Sequence, residues 1–346
     1  MNSFDPASLS PLPRQPHVSE PCELPYGLAW EDLQAILPNF DPEERSSAQA
    51  FVSHDKQGIS GGENSCILRL QYSIGKGRLG SETVFVKQSI DTLKREAQKY
   101  QFLEERGIPV PRLLAVIQKG EVEVILLEFL SSIGIDFSSQ IEVDDLLYLV
   151  AELNAIQKPP AIFNPPPGLP QAEFDEFVRT ALEGLGRDPA VPSLDAQGWF
   201  DAYQVSQKTS RGMPLALNHN EFYFQQVGWA QRESARRLVL FDLESMAVTP
   251  RFADIATILH PLSVYSGREQ NDLFKVYLDR LQQRTQHRLD FKEALREFRF
   301  LRITQSCYTL PWLFDEAGRP ESGIAPEILP MLVRCMQEDM NELGLL

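Results

Sequence analysis

Lys87 closes the apolar run Val84-Phe85-Val86, and Glu96 follows it nine residues later. A lysine ending an apolar strand, faced by a glutamate from the next helix, forms an ion pair that can hold a diphosphate. The alternative is two exposed charges that never meet. A second group is Ser60-Gly61-Gly62-Glu63-Asn64-Ser65. Adjacent glycines let the backbone approach a ligand, and successive N–H groups can cradle phosphate oxygens. The same pair also suits an ordinary hairpin. The third group is His219-Asn220-Glu221, Gln226 and Asp242-Leu243-Glu244, set beside two short apolar runs at 227–229 and 238–241. A carboxylate near a hydroxyl can orient or deprotonate it. A second carboxylate, helped by an amide oxygen, can hold Mg²⁺, a hard cation that takes oxygen ligands.

These groups need elements to position them. Residues 1–24 hold five prolines and few bulky apolar residues, which predicts an extended, disordered tail. The spacing of Trp30, Leu33, Ile36 and Leu37 predicts a helix closed by Pro38. Strands are expected at 48–54, 66–72 and 83–87, a helix at 92–106 with Ala97, Tyr100 and Leu103 facing inward, and strands at 112–117 and 122–129. Strands in sequence with one interposed helix suggest a small antiparallel sheet. Beyond residue 131 helices dominate, at 146–156, 171–185, 195–208, 253–260, 269–283, 290–310 and 326–343. The class is therefore α+β and bilobal, with a small sheet-bearing lobe at 25–130 and a larger helical lobe at 131–346.

The chain has 346 residues, with 48 Asp+Glu against 33 Lys+Arg, a formal net charge of −15 and a pI near 4.9. Hydrophobic residues make up 43%, enough for a sizeable core. The acidic balance argues against a nucleic-acid binder, whose Lys and Arg would form a positive footprint. It suits either a cationic ligand or simple solubility. Cys22, Cys66, Cys307 and Cys335 are scattered without metal-ligand spacing, as free thiols of a reducing cytosol would be. No apolar run reaches the length of a membrane span and no signal-peptide pattern opens the chain, so a cytoplasmic protein without a membrane partner is expected.

Taken in order, the motifs resemble the aminoglycoside phosphotransferase and choline kinase-like branch of the protein-kinase-like fold. SGGENS resembles the family's phosphate loop, VFVK its ATP-lysine strand, and KREAQKYQFLEERGIPVPRLLAV its helix with the partner glutamate. LLEFL resembles the hinge, LNHNEFYFQQVGW the catalytic loop, and LVLFDLESMAVTPRFADIA the metal segment. The resemblance covers roughly residues 45–260. It implies an ATP (or GTP) and Mg²⁺-dependent transfer of phosphate to a hydroxyl of a small molecule. It would place Gly61, Gly62 and Asn64 on the phosphates, Lys87 on the α/β-phosphates with Glu96 orienting it, and Glu128 to Leu130 on adenine through the backbone. Asp242 and Gln226 would hold Mg²⁺, Glu221 would serve the acceptor hydroxyl, and His219 and Asp254 would brace the loop. The acceptor pocket would draw on Glu244, Tyr223, Trp229, Tyr308, Trp312 and Asp315.

Two positions depart from the family pattern: Glu221 stands where it has Asp, and Gln226 where it has Asn. Each change adds a methylene and keeps the functional group. Retention of a carboxylate and an amide favours a working site. Misplacement by about 1 Å can cost about 10²-fold in rate, which favours a nucleotide-binding protein that transfers nothing. Transfer of a nucleotidyl group is a third reading.

Overall fold

The structure, a computed structural model, describes residues 12–13, 22–34, 36–37, 48–53, 64–74, 78–89, 95–120, 122–165, 170–188, 194–232, 235–315, 319 and 325–346. Its contacts divide into one unit of Met1–Leu149 with Tyr223–Ser245, and a second of Val150–Phe222 with Met246–Leu346.

In the first unit the two-residue β1 (Leu12–Pro13) precedes β2 (Gln49–Ser53), β3 (Ser65–Ser73) and β4 (Leu79–Ser89). Helix α1 (Glu96–Glu105) comes next, then β5 (Leu113–Lys119) and β6 (Val122–Glu128). The five longer strands pair antiparallel in the order β2-β3-β4-β6-β5. Successive strand residues point to opposite faces. Leu68 and Leu70, Val84 and Val86, and Val124 and Leu126 therefore share one buried face, which Leu28, Leu33 and Leu37 cover. Lys87 falls on the other face by the same alternation.

A smaller sheet in this unit orders β1, β7 (Ser132–Ile133), β9 (Val227–Arg232) and β10 (Ala235–Leu240). Gly228 makes it possible. A Cβ there would lie 2.7 Å from Leu130 and 2.8 Å from the Ser132 carbonyl, so any larger residue would push β9 off this segment.

Helix α2 (Gln140–Asn154) contains the boundary between the units. In the second unit follow α3 (Gln171–Arg187), α4 (Ala196–Arg211), β8 (Leu215–Asn218) and β11 (Ala247–Pro250), the last two paired antiparallel. Helices α5 (Ala253–Ser266), α6 (Gln270–Thr285), α7 (Phe291–Thr309) and α8 (Ala325–Leu343) complete it. Val178, Trp199, Tyr203, Ile303, Leu310 and Met336 belong to a buried cluster from α3, α4, α7 and α8 and the turn after α7. Phe274 meets Phe298 at 4.9 Å and Phe252 at 5.6 Å between ring centroids, which ties α6 to α7 and to the start of α5. Arg302 is buried and bonds both oxygens of Asp339 at 2.6 Å.

Three expectations change. The Trp30–Leu37 segment is a single 3₁₀ turn (Trp30–Leu33) followed by a bend, since burying Leu33 and Leu37 needs little more than one turn. Within residues 1–24, Leu12–Pro13 pair with Ile133 and Ser132, and Cys22 bridges Ala50, so these stretches hold sheet contacts. Proline is tolerated in β1 because an edge strand can leave its nitrogen outside the ladder. Helix α5 runs through Pro261 to Ser266, where the sequence predicts an end at 260. Burial of Ile258, Leu259 and Leu262 offsets the lost backbone hydrogen bond. No helix among the described residues is long and apolar enough to cross a membrane.

Candidate active site

In the first unit, β4 delivers Lys87 to a cluster of carboxylates. Its ammonium lies 2.8 Å from Glu96, 2.7 Å from Asp242 and 3.3 Å from Glu244. Glu96 opens α1 with a side chain that is 0% exposed. Burial works against a charged Lys87, yet the carboxylates of Glu96 and Asp242 outweigh it and hold the ammonium above its ordinary range. One ammonium faces three carboxylates, which leaves negative charge in excess.

The turn Asp242-Leu243-Glu244 follows β10 and is clamped by one face of α1. Residues spaced three and four apart share a helix face. Glu96 Oε1 accepts the Leu243 N–H (3.0 Å), and the Tyr100 hydroxyl accepts the Asp242 N–H (3.1 Å). The buried Lys99 ammonium donates to the carbonyls of Leu243 (3.1 Å) and Glu244 (2.6 Å). Burial, with the charges of Glu96 and Asp242, pushes the Tyr100 phenol well above its usual range, so it remains a neutral hydroxyl. Asp242 itself has φ 62°, a left-handed conformation that costs a non-glycine residue about 1–2 kcal/mol. The clamp holds it there.

This cluster fits a divalent cation. The side chains of Asp242 and Glu244 are 35% and 34% exposed, so a ligand can reach them. Mg²⁺ is bound through one or two carboxylates plus phosphate oxygens and water. Among the described residues, no group of three or more His, Cys, Asp or Glu could by itself hold a metal ion. Gln226 ends the 3₁₀ turn Phe224–Gln226 just before β9, and its carbonyl accepts the Phe241 N–H (3.0 Å). Its amide oxygen accepts the Tyr223 N–H (2.7 Å), so that group serves the local turn. The second carboxylate beside Lys87 is Glu244, which the sequence places in the acceptor pocket.

Of the phosphate-loop residues, Gly61 and Gly62 lie outside the described residues. Asn64 is exposed at the turn into β3, and its carbonyl accepts the Gln88 N–H (2.7 Å), which fixes the loop's exit beside Lys87. At the hinge, Leu130 is buried with Ala230, Val239 and Phe241. The Glu128 N–H donates to the Arg112 carbonyl (2.9 Å). Its carboxylate pairs with Arg232 (3.0 Å) and Arg112 (3.6 Å).

In the second unit, the β8–β11 ribbon carries a loop with His219, Asn220 and Glu221. The buried Asp254 carboxylate accepts the N–H of His219 (2.8 Å) on one oxygen and that of Asn220 (3.0 Å) on the other. Burial raises the Asp254 pKa, opposed by the charge of His219 and by these two amide bonds. Asn218 adds a second tie: its side-chain oxygen accepts from the Asp254 N–H (3.3 Å) and from Asn154 (3.1 Å). The Thr249 hydroxyl donates to Asn220 Oδ1 (2.8 Å) and holds that residue at φ 69°. The His219 ring is fully buried against Phe222, with centroids 5.6 Å apart, which suits a brace. Glu221 is exposed.

The residues expected at the acceptor divide between the two units. Trp229 is buried in the first unit, where its Nε1 donates to the Gly134 carbonyl (3.1 Å). Tyr308 packs on Phe174 at 4.5 Å and Asp315 pairs with Arg319, both in the second unit. Lys99, Tyr100, Asn218 and Thr249 are contributors that spacing alone does not mark. Tyr100 reads from sequence only as an inward-facing helix residue.

Residues 68–298, about two thirds of the chain, match the family model described as the phosphotransferase enzyme family. No curated protein matches the chain. Among solved structures it is similar to an aminoglycoside phosphotransferase from Alicyclobacillus acidocaldarius, with a TM-score of 0.55 and 13% identity over 93% of this chain and 97% of that one. A choline kinase from Cryptosporidium parvum gives 0.53 and 12% over 89% and 95%. A microcompartment-associated aminopropanol kinase gives 0.52 and 13% over 88% and 95%. At such identities the likeness is one of fold, and it agrees with the α+β, protein-kinase-like class read from the sequence.

Proposed function

Because the chain belongs to the phosphotransferase enzyme family, we propose that it moves the γ-phosphate of ATP, or GTP, to a hydroxyl of a small molecule with the help of Mg²⁺. The observation that carries this reading is the Lys87 ammonium set among Glu96, Asp242 and Glu244. Such a cluster is short of positive charge until a divalent cation arrives. Lys87 would bind the α/β-phosphates, and Asp242 with Glu244 would hold the metal. Bound Mg²⁺ supplies charge neutralisation on the β- and γ-phosphate oxygens.

Glu96 fixes Lys87, while Lys99 and Tyr100 fix the turn, so the positions of charge are set before the phosphates bind. This is how positioning and preorganised electrostatics lower a phosphoryl-transfer barrier. Glu221 would accept the proton of the acceptor hydroxyl as that hydroxyl's oxygen bonds to the γ-phosphorus and the bond from that phosphorus to the departing nucleoside diphosphate breaks. The acceptor is a hydroxyl-bearing small molecule, and the net charge of −15 favours a cationic one.

Calorimetry with ATP in the presence and absence of Mg²⁺ tests the binding. Micromolar, Mg²⁺-dependent binding that is lost in Asp242→Asn is expected; absence of Mg²⁺-dependent ATP binding overturns the reading. A second reading, a nucleotide-binding protein without transfer, is favoured by the engagement of the Gln226 amide with Tyr223. Mass spectrometry across a panel of amino alcohols, sugars and antibiotics separates the two. A phosphorylated product that disappears in Asp242→Asn excludes the second.

A further inference from the structure

The second unit contains a cavity of about 370 Å³ whose lining includes none of the residues proposed to bind nucleotide, metal or acceptor. Its walls include Ile156, Pro159, Leu215, Leu281 and Leu289, and its polar groups include Lys158, Arg251 and His287. Volumes of roughly 300–1,000 Å³, apolar walls and a few polar groups are the usual make-up of a small-molecule site. Among the described residues lining it, none is acidic. Its lining cations are Lys158 and Arg251, and since Arg251 is ion-paired with Glu297 (2.6 Å), the excess of positive charge at the lining rests on Lys158. Arg251 is held in place by Glu297, which accepts from its Nε at 2.7 Å. Lys158 stands at φ 52° immediately before Pro159, a backbone region disfavoured both for a non-glycine residue and for one preceding proline.

The cavity also touches the supports of the loop that carries Glu221. Asn154 lines it, and its side-chain amide donates to the Leu217 carbonyl (2.8 Å) and to Asn218 Oδ1 (3.1 Å). Asn218 in turn accepts from Asp254, whose carboxylate holds the His219 and Asn220 amides. Val248 lines it too, beside the Thr249 that bonds Asn220.

We propose that this cavity is a regulatory site for a small amphipathic anion, with an apolar body against the leucines and a carboxylate, sulfonate or phosphate toward Lys158 and Arg251. Occupancy loads Asn154 and the β8–β11 ribbon and thereby stiffens the loop. The site stands on its own geometry, whether or not the phosphotransfer reading holds.

The full chain is titrated with 8-anilinonaphthalene-1-sulfonate, a fluorescent aromatic anion, and with the uncharged N-phenyl-1-naphthylamine. One sulfonate should bind per chain, at least about tenfold tighter than the neutral analogue and at least about tenfold tighter than to Lys158→Glu. Lys158 is exposed, so its reversal leaves the fold intact; a melting curve confirms this. The fluorescence should persist in Lys87→Met. Equal binding of the neutral probe, survival of binding in Lys158→Glu, or its loss in Lys87→Met overturns the site. Hydrogen exchange tests the coupling: the His219 and Asn220 amides should exchange several-fold more slowly with the sulfonate bound. Unchanged exchange with the probe bound overturns the coupling.

Discussion

The hydroxyl of Tyr100 on α1 accepts the backbone N–H of Asp242 at 3.1 Å, at a residue held in the left-handed region with φ 62°. Tyr100→Phe keeps the ring and removes that acceptor. A fully buried amide deprived of its acceptor costs about 1–3 kcal/mol; this one is only partly buried, so urea denaturation should show a loss at or below the lower end of that range. Calorimetry should show Mg²⁺·ATP binding weakened several-fold, because the Asp242 carboxylate is no longer held in one place. A variant that loses stability with unchanged nucleotide affinity removes Tyr100 from the positioning of the site.

Glu221 is exposed, and its assigned work is on the acceptor. Glu221→Gln retains shape and loses the proton acceptor. A fall in kcat of about 10²–10⁴-fold is expected, with stability unchanged within about 0.5 kcal/mol. Steady-state kinetics beside a thermal melt reads both. Unchanged kcat moves the base elsewhere.

Asp254 spends both oxygens on the amides of His219 and Asn220. In Asp254→Asn one oxygen becomes an NH₂ that faces another N–H. A loss of about 1–3 kcal/mol follows from the unsatisfied donors, together with faster hydrogen exchange at residues 219 and 220. Because the loop leading to Glu221 loosens, kcat should fall more than KM rises.

His260 carries a pH dependence. Burial and the positive charges of Arg302 and Arg334 push its pKa down to about 4, and its Nδ1 lies 2.9 Å from the Gln270 amide nitrogen. The folded protein therefore keeps this imidazole neutral where an unfolded chain, near 6.5, would protonate it. The unfolded state binds more protons between these values, so this contribution is present above about pH 6.5 and is lost as pH falls toward 4. After allowance for partial solvent screening it amounts to about 1–2 kcal/mol. Denaturant titrations at pH 7 and pH 4.5 should show a smaller drop for His260→Gln than for the wild type.

The sheet of the first unit is legible because its period-two pattern is local: Leu68, Leu70, Val84 and Val86 mark the buried face on their own. The helices of the second unit are legible for the same reason. The β8–β11 ribbon is not. Its strands are four residues each, too short for a pattern, and Asn218 pairs with Ala247 across the intervening β9 and β10. The Lys87–Glu96 contact follows from a strand end and the helix after it. The role of Lys99 is invisible in sequence, since a lysine inside a helix reads as solvated until the Leu243 and Glu244 carbonyls are seen above it. Gln226 illustrates the opposite limit. Its chemistry was readable, but its engagement with Tyr223 depends on the local turn.

The division of the chain has a consequence for synthesis. The first unit is Met1–Leu149 together with Tyr223–Ser245, so its last strands and Asp242 are made after much of the second unit. Lys87 and Asp242 are 155 residues apart in the chain. At about 5–20 residues per second, a nascent chain waits roughly 8–30 s between them. During that interval the N-terminal segment has Lys87 and Glu96 but lacks β9, β10 and the turn that α1 grips. The first unit cannot close in the order in which it is translated, and the second unit is partly made before it does. A gene split between residues 149 and 150 would therefore yield an N-terminal fragment without Asp242, and the β-sheet alone would not make a nucleotide-binding module.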